Sequence, residues 1–119
     1  MIRTILLLLT LTAGLFAADT VAEAKKKIAD KKFDEAITQL EVAYKAKPTP
    51  ALKTALIDAN MSKADDFMAN DSVPPRVKYT TALKAYREVL KYDPQNKKAK
   101  TNVDTIEGIY KSMGRPIPQ

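Results

Sequence analysis

One apolar pattern occurs twice in this chain. Phe33, Ala36, Ile37, Leu40, Ala43 and Tyr44 hold positions i, i+3, i+4, i+7, i+10 and i+11, the broad apolar face of a helix. Tyr79, Ala82, Leu83, Tyr86, Val89 and Leu90 repeat all six slots at an offset of 46 residues. Pro48 follows Phe33 by 15 residues, and Pro94 follows Tyr79 by the same 15. Two copies of one amphipathic helix with the same stop define an internal repeat, and neither copy can bury its face without a neighbour. The expected fold class is all-α, made of antiparallel helix–turn–helix repeats.

The remaining segments fit that frame. Thr20-Val21-Ala22-Glu23 has the capping-box pattern of a helix start, followed by a narrow stripe of Val21, Ala24 and Ile28 beside Lys25, Lys26 and Lys27. After the Pro48-Thr49-Pro50 connection a third helix is predicted from about Ala51 to Met68. It carries Leu52, Leu56 and Phe67 on one side and Ile57, Met61, Ala64 and Met68 on the other, the pattern of a helix sandwiched between neighbours. Residues Asn70 to Pro75 are dense in turn formers and read as a loop. A fifth helix from about Lys97 to Met113 has one stripe, Ala99, Val103, Ile106, Tyr110 and Met113, with lysines opposite. Gly114 is its expected stop, and Arg115-Pro116-Ile117-Pro118-Gln119 cannot extend it.

Phe33-x-x-Ala36-x-x-x-Leu40-x-x-Ala43, and Tyr79-x-x-Ala82-x-x-x-Tyr86-x-x-Val89 followed by Asp93-Pro94-Gln95-Asn96, resemble the tetratricopeptide repeat. The resemblance covers roughly Thr20 to Met113 and implies an α-solenoid of two repeats, at 20–48 and 51–94, closed by a capping helix at 97–113. The period of 46 exceeds the family's usual length of about 34. The surplus is assigned to a lengthened third helix and the following loop, about 65–78.

The N-terminus reads as an address. In residues 1–18 a short basic region (Met1, Arg3) precedes an apolar stretch from Ile5 to Phe16 and the small residues Ala17 and Ala18, the pattern of a signal peptide. About 15 apolar residues are fewer than the roughly 20 that span a bilayer. Cleavage after Ala17 or Ala18 would leave a domain at 19–113 and a tail at 114–119, outside the cytoplasm, in a bacterial periplasm or secreted. The processed chain would not be an integral membrane protein.

The residue inventory excludes much chemistry. With no Cys and no His, the chain of 119 residues has no disulfide, thiolate metal site, imidazole base or catalytic triad. Its three glycines (Gly14, Gly108 and Gly114) are isolated, so no phosphate-binding loop exists. Asp34-Glu35 and Asp65-Asp66 are adjacent carboxylates about 100° apart around a helix, which cannot converge on one atom; both pairs are expected on solvated faces. The five tyrosines are expected to pack in the core rather than stack on a ligand. Asn60-Met61-Ser62 and Asn70-Asp71-Ser72 match the glycosylation pattern, with Asn60 in a helix a poor acceptor. No catalytic residue, cofactor or metal is expected.

Charge is uneven. Residues 19–75 carry 9 Lys+Arg against 10 Asp+Glu, and residues 76–119 carry 10 against 4. Nucleic acid is a poor partner for an exported chain, so another protein or an acidic peptide is expected instead. By position, the tetratricopeptide resemblance implies a partner groove of Val21, Lys25, Ile28, Leu52, Ala55, Ala59, Lys98 and Asn102, with Lys25, Lys98 and Asn102 as carboxylate donors. The function this implies is a non-catalytic adaptor or scaffold. Two other readings stand beside it: a self-associating structural component of the cell envelope, with a second copy packed on the third helix and its Phe67-Met68 end, and a binder of anionic envelope polymers through the basic C-terminal part.

Overall fold

In the computed structural model the backbone is described for residues 2–119 and side chains from Phe16 onward. Among the described residues the chain forms five helices and no strand: α1 (Ile2–Ala29), α2 (Phe33–Ala46), α3 (Pro50–Ala69), α4 (Pro75–Tyr92) and α5 (Lys97–Ser112). Most of the expected signal segment 1–18 lies outside the described side chains. The helix bearing Thr20 is continuous from Ile2, so the capping-box expectation is corrected. With no helix end at Thr20, its hydroxyl donates back to the Phe16 carbonyl (3.0 Å) instead of capping.

Two compact units divide the chain, Met1–Leu56 and Ile57–Gln119, and the boundary falls inside α3. In the first, α1 and α2 form an antiparallel hairpin. Lys31, at φ 60, closes α1: its amide donates to Ile28 (2.9 Å), and that of Lys32 donates to Lys27 (2.8 Å). Ala24, Phe33, Ala36, Leu40, Leu52 and Leu56 are buried there. In the second unit Leu83, Tyr86, Val89, Ala99, Val103, Ile106 and Tyr110 form a core from α4 and α5, joined by Ala64 of α3. Ile57, Met61, Phe67 and Met68 pack partly against it. Burying one such large side chain contributes about 1.5–3 kcal/mol, so this cluster dominates the unit's stability.

The internal repeat extends to the helix ends. Lys47 and Asp93, both outside helical geometry, stand before Pro48 and Pro94. Their amides cap α2 and α4 on the Ala43 carbonyl (3.0 Å) and the Val89 carbonyl (2.8 Å), again 46 residues apart. A proline disfavours helical geometry in the residue before it, and this sets both stops. The helices that follow start alike. The Thr49 hydroxyl accepts from the Leu52 amide (3.2 Å), and the Asn96 side-chain Oδ1 accepts from the Ala99 amide (3.0 Å). α4 begins at Pro75, a turn before Tyr79.

Candidate functional site

The eight residues expected to line a partner groove fall into two groups. Val21, Lys25, Ile28, Leu52 and Ala55 belong to the first unit, and Ala59, Lys98 and Asn102 to the second. Leu52, Ala55 and Ala59 are 2%, 6% and 0% exposed. These three are corrected from groove lining to core. Each is buried within its own unit and leaves no surface for a partner. Lys25 is exposed on α1, with Val21 and Ile28 half-buried at i−4 and i+3 on the same face. Asn102 is half-buried one turn beyond Lys98 on α5.

Lys98 already has a carboxylate. Its Nζ donates to Asp65 Oδ2 (2.5 Å), and the buried Tyr86 hydroxyl donates to Asp65 Oδ1 (2.6 Å). Asp65 keeps 38% of its side chain exposed, so it is solvated as expected, but it also has partners that the sequence did not show. Adjacent side chains on a helix diverge, and here the divergence turns Asp65 toward α4 and α5. The three residues pin α3, α4 and α5 together within the second unit. Burial, the hydrogen bond to Asp65 and its negative charge together push the Tyr86 hydroxyl well above its ordinary range. The phenol thus stays protonated and donating, a structural arrangement and not that of a general base.

A second feature, absent from the sequence expectations, lies on α1 and α2. Lys27, Asp34, Glu35, Thr38, Gln39 and Val42 line an open depression of about 600 Å³. Gln39 bridges its wall, accepting from Lys27 Nζ (2.7 Å) and donating to Glu23 Oε2 (2.6 Å). Val42, 66% exposed, is the one large apolar side chain of its lining. Only the separation of Glu23, Lys27 and Gln39 along the α1/α2 hairpin could have signalled this chain, and their contact depends on the pitch at which the two helices meet.

Two of the five tyrosines are core residues, Tyr86 and Tyr110 at 2% and 8% exposed, with Thr80 within hydrogen-bond distance of Tyr110 (3.0 Å), whereas Tyr44, Tyr79 and Tyr92 are half-buried. Asn60 is 3% exposed, out of reach of any modifying enzyme, whereas Asn70 is exposed and its side chain accepts from the Ser72 amide (3.0 Å). Among the described residues, no helix is long and apolar enough to cross a membrane. Comparison with family models, with curated proteins and with solved structures finds no match for this chain.

Proposed function

We propose that this chain is a non-catalytic, exported protein–protein interaction module of the tetratricopeptide type, an adaptor or scaffold. The observation that supports this reading is the internal repeat, which recurs in sequence, in burial and in the capping bonds at Ala43 and Val89. Repeats of paired helices expose long helix faces that suit contact with another protein. The residue inventory, without Cys or His, offers no cysteine nucleophile and no imidazole base to an enzyme reading. The face of α1 bearing Val21, Lys25 and Ile28 is the contact surface, and its lysine favours an acidic partner segment.

Photo-crosslinking tests this in cells with a probe at Val21 or Ile28, adducts being identified by mass spectrometry. One recurring foreign protein, lost on Lys25→Glu, is the expected result. Adducts to the chain itself alone would replace the adaptor with a self-associating envelope component. One observation favours that second reading: Val77 and Met113, 48% and 49% exposed, lie at the same end of the α4/α5 pair, each three residues beyond the Thr80–Tyr110 contact. Phe67 and Met68 are less available, being packed partly on the core.

A further inference from the structure

The last segment of the chain is attached in an unusual way. α5 stops at Ser112, and just beyond it Gly114 (φ 66) turns the chain, with the Arg115 amide donating to the Tyr110 carbonyl (3.0 Å). Pro116 and Pro118 have no amide hydrogen to extend that ladder. Instead, Ile117 is half-buried against the α4/α5 core cluster, and Arg87 Nη1 of α4 donates to the Pro118 carbonyl (2.6 Å). Arg87 Nη2 donates to Glu107 Oε1 of α5 (3.2 Å), the two side chains being 29% and 28% exposed. One aliphatic side chain and one main-chain carbonyl therefore hold the tail.

We propose that the seam between α4 and α5 is a docking groove for an extended aliphatic–proline segment of a partner protein, filled in cis by residues 115–119. The tail shows what the groove accepts. An aliphatic residue flanked by prolines enters the apolar seam, and the next carbonyl meets a guanidinium held in place by Glu107. Proline fixes φ, so such a segment loses little conformational entropy on docking. Arg87 bonds to a main-chain oxygen, which any chain supplies, and the groove is selective only through the Ile117 position and the proline geometry. A partner segment of the same pattern competes with the strap, and its apparent affinity falls by the fraction of molecules in which the strap is open. The inference does not depend on the adaptor reading, which uses α1.

The test is binding of a fluorescein-labelled hexapeptide with the sequence of residues 114–119 to the full chain. Ile117→Asp in the full chain, which removes the cis competitor, is expected to tighten binding about tenfold, a shift of about 1.4 kcal/mol. Adding Arg87→Met to that variant abolishes the gain. Equal affinity for the unaltered and Ile117→Asp chains overturns the proposal. A second measurement covers the case in which Ile117→Asp loses helix. The chain has no Cys, so Gln119→Cys accepts a single nitroxide in an otherwise unaltered molecule. The label is expected to be restrained, and to be freed by excess unlabelled hexapeptide with far-ultraviolet circular dichroism unchanged. A label that stays restrained, is freed only with loss of helix, or is freed equally well by an unlabelled second copy of the chain overturns the proposal, the last by making the groove a tail-exchange interface between copies.

Discussion

Lys31 and Gly114 share one backbone conformation, φ 60 and φ 66, at the ends of two helices. In both, successive amides turn back onto carbonyls of the preceding turn, so the hydrogen bonding is equivalent. The side chains are not. Left-handed geometry brings a Cβ close to the following carbonyl and costs an L-residue about 1–2 kcal/mol, which glycine avoids. Lys31→Gly should therefore stabilise the chain by about 1 kcal/mol, less the added freedom of the unfolded state. Gly114→Ala should destabilise it by a similar amount, through backbone strain alone, since a Cβ at Gly114 would meet no atom within 4 Å. Urea titrations of both variants check the pair, and opposite shifts of the midpoint are the expected outcome. Gly114 was legible as a stop because glycine signals the geometry. Lys31 was not, because only the need to reverse the chain within 30–32 imposes it there.

At the scale of the elements, the Tyr86–Asp65–Lys98 pin ties three helices by two hydrogen bonds of 2.6 and 2.5 Å. Its pH dependence has a definite sign. Tyr86 is held protonated in the folded chain above the pH at which a free tyrosine, near 10, ionises. The stabilisation is complete below pH ~10 and is lost as pH rises beyond it, because the unfolded chain then sheds a proton that the folded chain retains. Tyr86→Phe should cost about 1 kcal/mol at neutral pH and flatten the fall in stability above pH 10, as read by thermal melts across the alkaline range. An unchanged alkaline slope would assign it to the other tyrosines. Asp65→Leu should cost more than Tyr86→Phe at neutral pH, since it leaves a buried hydroxyl without its acceptor.

For the whole molecule, periodicity carried the helices and their faces, because every large residue of the six-slot pattern is buried or half-buried in both copies. It did not carry the expected groove. Ala55 and Ala59 are small residues on one helix face, and sequence does not distinguish a small residue that lines a cleft from one that lets a helix approach closely. Nor could it reveal that Lys98 meets Asp65, 33 positions away. The division at Leu56–Ile57 was likewise hidden, since α3 runs through it without a break in its pattern. A continuous helix shared by two compact units makes stability a sum of local terms rather than one figure for the chain. Leu83 is fully buried in the second unit and Leu40 in the first, and replacing either by Ala should cost about 2–5 kcal/mol. Native-state hydrogen exchange separates the two effects: Leu83→Ala should lower protection across α4 and α5 while α1 and α2 keep theirs, and Leu40→Ala should do the reverse. Equal loss across all the helices in either variant would mean that α3 transmits unfolding along its full length, making the chain a single cooperative unit.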